Sequence, residues 1–182
     1  QQSVESAIDA ALSQVNVITT QLARLNTEIA RSATGGQKPN DLLDQRDKLL
    51  QSLSNLTGFT MVEANNGSIT LYLGDTASGQ KLIGSEGAHQ LGTIKTGSRL
   101  DIAFDPNSNP SITTQIKSGT IAGLLDFRRE ATTLMQNVDR LAVGFVDAVN
   151  KQHMLGVDQD GKPGKELFSA DSLKAKAGPG NT

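Results

Sequence analysis

The side chains able to do chemistry in this chain are few and scattered. Its two histidines, His89 and His153, fall in different stretches of the sequence, and it contains no cysteine. No Ser accompanies either histidine in a strand–turn–helix setting, so a nucleophile–base–acid set has no support. His153 closes a helical row, where an imidazole is favoured by the negative end of the helix dipole. Asp158-Gln159-Asp160-Gly161 looks like the middle of a calcium loop. With Gly161 at the sixth position, however, the first and twelfth positions fall on Gly156 and Leu167, neither of which carries a carboxylate. A polar turn is therefore the expectation there. No phosphate-cradling glycine loop and no zinc-type ligand spacing is present. These residues predict no catalysis, no cofactor and no metal; a metal-binding module built on Asp158, Asp160 and His153 is the minor alternative.

Two charge clusters, Asp44-Gln45-Arg46-Asp47-Lys48 and Arg128-Arg129-Glu130, sit at helical spacing. They predict solvated helix faces with pairs contributing a few tenths of a kcal/mol each. Arg128 differs because it falls on an apolar row, so it is expected to meet a carboxylate of another helix.

Composition narrows the function classes. The hydrophobic fraction of the 182 residues is 36%, and adding the 18 glycines brings it to roughly 46%, normal for a folded protein. Aromatic residues make up only 3%, with no Trp and one Tyr, whereas ligand pockets lean on aromatic area. Leu, Ile, Val and Ala filling narrow helical seams suit such a chain better. A net charge of −2 from 17 basic and 19 acidic residues, without a basic stripe, argues against nucleic-acid binding. No apolar run approaches the ~18 residues of a membrane span. The start has neither a basic n-region nor an apolar h-region and reads as the inside of a helix.

The elements that would position any function are read from periodicity. Val4, Ile8, Ala11, Val15, Ile18, Leu22, Leu25 and Ile29 recur with spacings alternating between four and three. That heptad row predicts a first helix over residues 1–32, roughly 48 Å long, with a seam that needs partner helices. Thr34 to Pro39 is a breaker cluster, and Asn40 is the expected N-cap of a second helix carrying Leu42, Leu49, Leu53 and Leu56. Gly58 stands where a C-terminal glycine would end that helix. A short link predicts that the two helices lie antiparallel.

From Phe59 the period drops to two. Residues 59–63 and 68–73 flank Asn65-Asn66-Gly67 and predict a hairpin, with further short strands at 80–83, 90–95 and 99–104. Asp105 to Pro110 reads as a loop. Helical spacing resumes after Gly119, capped by Ser118 or Thr120: Leu124, Arg128, Ala131, Met135, Val138, Ala142, Phe145 and Val149 repeat the four–three row. Gly123 and Gly144 inside this third helix are expected to mark close helix–helix approach, or else a kink. The expected fold is α+β: an elongated antiparallel bundle of two long helices and one shorter, with a small β-rich insertion. The domain expectation is a discontinuous helical rod of residues 1–58 and 116–168, a β-rich insertion at 59–115, and a flexible tail at 169–182. The second helix is about half as long as the others. Half of the long seam is then left for the insertion, further sequence or a neighbouring subunit to cover.

At these residues the chain resembles the flagellar hook-associated protein 1 family, components of the hook–filament junction. The stretch from Asn40 through Leu42, Leu43, Asp44, Arg46 and Asp47, with Leu56 and Gly58, is similar to a recurring family segment. Gly119-Thr120-Ile121-Ala122-Gly123-Leu124-Leu125-Asp126-Phe127-Arg128-Arg129-Glu130 is the more specific likeness. It continues into Leu141, Ala142, Asn150, His153, Gly156, Asp158, Gly161, Gly164 and Phe168 in the family's order, and Leu25-Asn26 with Ile29 resembles the end of the family's first long helix. Leu167 stands where a second aromatic is common, and region 59–115 is generic.

The resemblance implies a structural protein of the extracellular flagellum, exported through the flagellar type III apparatus without a cleaved signal. It implies neighbours along the axis, the hook protein and the third hook-associated protein, together with copies of itself. It also implies terminal polymerisation helices outside this sequence, so that the stretch alone would be monomeric. The alternative is another extracellular coiled-coil protein, such as an adhesin stalk or a different axial component. If both long seams are buried, Leu22→Asp and Val138→Asp would each collapse helicity.

Overall fold

A computed structural model describes residues 2–34, 39–77, 79–97, 99–105 and 111–169. Among these residues three α-helices, α1 (Gln2–Thr34), α2 (Asn40–Leu56) and α3 (Gly119–Met154), flank six strands in sequence. The strands are β1 (Phe59–Glu63), β2 (Ile69–Leu73), β3 (Lys81–Gly84), β4 (Gly87–Ala88), β5 (Leu91–Thr96) and β6 (Arg99–Phe104), and a short 3-10 turn at Thr113–Gln115 precedes α3. The class is α+β, with two long helices, one shorter helix and small antiparallel sheets. By contacts the chain divides into two units, residues 1–126 and 127–182.

In the first unit, β1 to β4 form one sheet in sequence order and β5 with β6 a second. The β1–β2 hairpin pairs Phe59 with Leu73 through Glu63 with Ile69. Its turn needs Gly67, whose φ of 76° lies in the left-handed region. Asn66 Oδ1 braces that turn, accepting from the Ser68 amide at 3.1 Å and its hydroxyl at 2.7 Å. Alternation along β2 puts Ile69, Leu71 and Leu73 inward and Thr70 and Tyr72 half-buried. The two-residue strand β4 is too short for any periodicity to announce.

The core is shared by helices and sheets. Ile8, Leu12, Val15, Leu22 and Ile29 of α1 are buried with Leu53 of α2, Leu71, Leu82 and Ile83 of the first sheet, and Leu91 and Ile102 of the second. Helix α1 packs against α2 and lies along β3, β4 and β5. A row with coiled-coil spacing is thus covered by one helix and three strands together.

Two expected helix boundaries are corrected. Asn40 is the first helical residue, not the cap; Pro39 precedes it, and its carbonyl accepts from the Leu42 and Leu43 amides at 3.0 and 3.1 Å without any side-chain cap. After α2, Thr57 turns to extended backbone at φ −153°, so Gly58 does not supply a left-handed residue. A Cβ on Gly58 would meet the Ser118 hydroxyl, which would have to turn away. Gly119 does need its glycine conformation, with φ 83°, and its Cα faces the Leu56–Thr57 backbone at a distance no Cβ would tolerate. Thr120 then donates its hydroxyl to the Asn55 carbonyl at 2.9 Å. The start of α3 is in this way riveted to the end of α2. Gly35–Lys38 of the expected breaker, residues 106–110 of the expected loop, and residues 170–182 of the expected tail lie outside the described residues.

Candidate functional site

For a chain expected to act by packing, the site is its set of apolar rows. In α1, Ile8, Val15 and Leu22 are fully buried and Ile29 nearly so, while Val4, Ile18 and Leu25 are half-buried. In α2, Leu53 is buried and Leu42, Leu49 and Leu56 are half-buried. Fully burying one such side chain stabilises by about 1.5–3 kcal/mol, so α1 and α2 carry much of the first unit's stability. In α3 the outcome splits. Ile121, Ala122 and Leu125 are buried and Leu124 is half-buried. Beyond them the row comes to the surface: Met135 is 50%, Val138 56% and Phe145 62% exposed. Val149 is half-buried, and Phe127, Leu134 and Leu141 add further exposed apolar area.

Within the first unit the α1 row is covered by α2 and the strands, whereas Met135, Val138 and Phe145 of α3 are exposed. The close approach expected at Gly123 and Gly144 is corrected, because a Cβ at either would meet nothing within 4 Å.

Polar side chains that periodicity passed over do the fastening. Asn26, buried, donates from Nδ2 to the Ile69 carbonyl at 2.8 Å and accepts from the Ile69 amide at 2.6 Å through Oδ1. Asn16 treats Leu91 identically, with both bonds at 2.8 Å. Each carboxamide imitates one residue of a neighbouring strand, satisfying a backbone donor and acceptor at the start of β2 and of β5. One helix is thereby hydrogen-bonded to a strand of each sheet. The sequence signal existed: both Asn residues stand beside the apolar row, on the face that meets the strands.

Arg46 corrects a second expectation. Read as part of a solvated cluster, it is 8% exposed. Its Nη1 donates to the Gly67 carbonyl at 3.1 Å and lies 3.3 Å from Glu63 Oε1, while Nε lies 3.4 Å from Asp47 Oδ1. It ties α2 to the β1–β2 hairpin, and buried guanidinium is tolerable only with such partners. Of its neighbours, Asp44 and Asp47 are exposed and Leu43 is half-buried. In the second motif Leu125 is buried, Asp126 and Phe127 are exposed, and Arg128 is half-buried.

The second unit explains why the motif after α3 has its residues in that order. Asn150 Oδ1 accepts from the Leu167 and Phe168 amides, both at 2.9 Å, and its Nδ2 donates to the Phe168 carbonyl at 2.7 Å. His153, in the last turn of α3, donates from Nδ1 to the Lys165 carbonyl at 2.7 Å. A Cβ on Gly164 would strike the His153 carbonyl, so only glycine passes there. Asp158 Oδ1 accepts from the Asp160 and Lys162 amides at 2.9 and 2.8 Å, and Gly161 takes φ 75°. The carboxylate is used by its own turn, as an Asx turn uses it. Among the described residues no helix is long and apolar enough to cross a membrane.

Residues 1–168 match the family model described as the flagellar hook-associated protein FlgK helical domain. The chain is similar to flagellar hook-associated protein 1 of Salmonella typhimurium, 34% identical over 178 residues, covering 93% of this chain and 32% of that protein. The corresponding Escherichia coli protein is 31% identical over 175 residues, covering 91% of this chain and 31% of its own length. Among solved structures it is similar to the flagellar hook junction protein FlgK from Burkholderia pseudomallei. That likeness has a TM-score of 0.76 and 34% identity, over 92% of this chain and 31% of that one. The chain thus spans about a third of the length of these relatives.

Proposed function

Because this chain belongs to the FlgK family of flagellar hook-associated proteins, through that family's helical domain, we propose that it is a structural subunit of the hook–filament junction. It acts by helical packing in the assembled axial structure and carries out no catalysis. Its site is extracellular, reached through the flagellar export apparatus without a cleaved signal. Its neighbours are the hook protein, the third hook-associated protein and copies of itself.

The observation that supports this reading best is the division of labour among the apolar rows. The first unit buries the α1 row against α2 and its own strands. The row through Phe127, Leu134, Val138, Leu141 and Phe145 is exposed along more than four turns of α3. Monomeric proteins rarely leave contiguous apolar stripes of that extent without a partner. Four–three spacing suits that stripe to another helix, in the knobs-into-holes manner of axial helical assemblies. The family motif residues Leu43, Arg46, Leu125 and Arg128 then serve the scaffold that presents it.

The test is complementation. A full-length gene carrying this segment is expected to restore filament attachment and swimming in a strain lacking its junction protein. Secretion of the protein without any filament attachment would overturn the assignment.

A further inference from the structure

We propose that Glu86, His89 and Asp105 form a pH-sensitive latch fastening the four-stranded sheet to the two-stranded one. His89 lies where the chain passes from the first sheet to the second, between β4 and β5. Its Nε2 stands 3.2 Å from Glu86 Oε1, in the turn between β3 and β4. Its Nδ1 stands 3.1 Å from Asp105 Oδ2, just after β6. One imidazole thus reaches a carboxylate of each sheet. A neutral ring has a single N–H and leaves its other nitrogen's lone pair facing a carboxylate oxygen, whereas an imidazolium donates to both.

The surroundings hold this geometry in place. The ring lies against Phe104 with centroids 5.0 Å apart. The His89 amide donates to the Leu82 carbonyl at 2.9 Å, the Asp105 amide to the Gln90 carbonyl at 2.8 Å, and the Gln90 amide to Asp105 Oδ1 at 3.3 Å. Asp105 adopts φ 46°, a left-handed conformation that Asp accepts better than most residues. The side chain of His89 is 28% exposed, so it exchanges protons with solvent. The charged groups acting on it are Asp105 and Glu86; Lys81 on β3 acts on Glu86, and Asp9 of α1 is engaged by the Thr93 hydroxyl at 3.1 Å.

Burial pulls the His89 pKa down, but hydrogen bonds and charge from Asp105 and Glu86 outweigh it and raise it above 6.5. Glu86 is held at about 2, chiefly by its own backbone amide and then by His89. A raised imidazole contributes stability that is full below its unfolded value and lost as pH rises through its folded one. A lowered carboxylate contributes stability that is present above its unfolded value of 4.5 and lost as pH falls through about 2. The latch is therefore fully closed between pH 4.5 and 6.5, and it opens on the alkaline side as His89 loses its proton.

The test is an NMR titration of the chain combined with hydrogen exchange corrected for intrinsic rates. The His89 resonance is expected to titrate with a midpoint above 6.5, and the midpoint is expected to fall in Asp105→Asn. Each unit of fall reports a tenfold weaker hold on the proton. Protection of the His89 and Asp105 amides is expected to drop several-fold as pH rises through the midpoint, and to show no such step in His89→Gln. A wild-type midpoint at or below 6.5, a midpoint unmoved by Asp105→Asn, or an identical protection step in His89→Gln would each overturn the latch. The first two readings need no substitution at His89, so they hold even if that variant fails to fold.

Discussion

At the scale of single residues, the fold depends on polar side chains that imitate backbone. Removing Asn26 leaves the amide and carbonyl of Ile69 without partners in a buried place, and an orphaned buried group costs about 1–3 kcal/mol. Asn26→Ala is expected to lower unfolding free energy by about that amount in urea denaturation, with exchange at the Ile69 amide rising in step. Unchanged stability would mean that water replaces the carboxamide without loss. These roles were only half legible in the sequence. Asn26 was noticed within a family likeness, but nothing local to an Asn in a helix announces a strand residue 43 positions away. Arg46 was concealed by its neighbours: within Asp-Gln-Arg-Asp-Lys every residue looks solvated, and only the hairpin folding over it makes one of them interior. His89 was legible as a lone histidine and no more, because its carboxylates come from a turn and a strand end that pattern reading does not bring together.

At the scale of elements, periodicity was a sound guide to what forms and a poor guide to what covers it. Alternation located five of the six strands, and the four–three rows located all three helices, because side-chain direction is a local property of helix and strand. Cover is not local. The α1 row has the spacing of a coiled coil yet is covered by α2 and strands together, and the α3 row has the same spacing with Met135, Val138 and Phe145 exposed. The two rows therefore separate in experiment. Leu22→Ala is expected to destabilise the chain by about 2–5 kcal/mol, whereas Val138→Ala is expected to stay within about 0.5 kcal/mol. Equal losses in chemical denaturation would show the α3 row to be buried after all. The glycines follow the same logic. With open space around both, Gly123→Ala and Gly144→Ala are each expected to stabilise α3 by about 0.5–1 kcal/mol through lost unfolded-state freedom, seen as a higher melting temperature. A lower one would mean that those positions are contacted.

At the scale of the whole molecule, the proposed function assigns stability and assembly to different apolar surfaces of one chain. The first unit closes its core with its own helices and sheets. The exposed stripe of α3 is the surface that the proposed assembly would bury. The most direct measurement substitutes Val138→Asp and Phe145→Asp together in the full-length protein and follows two readouts. In the 182-residue chain, circular dichroism is expected to keep its helical signal, since both side chains already face solvent. In cells, the secreted protein is expected to fail to attach filaments. Loss of helicity in the isolated chain, or normal filaments on the cells, would contradict the division between a self-sufficient core and an open packing row.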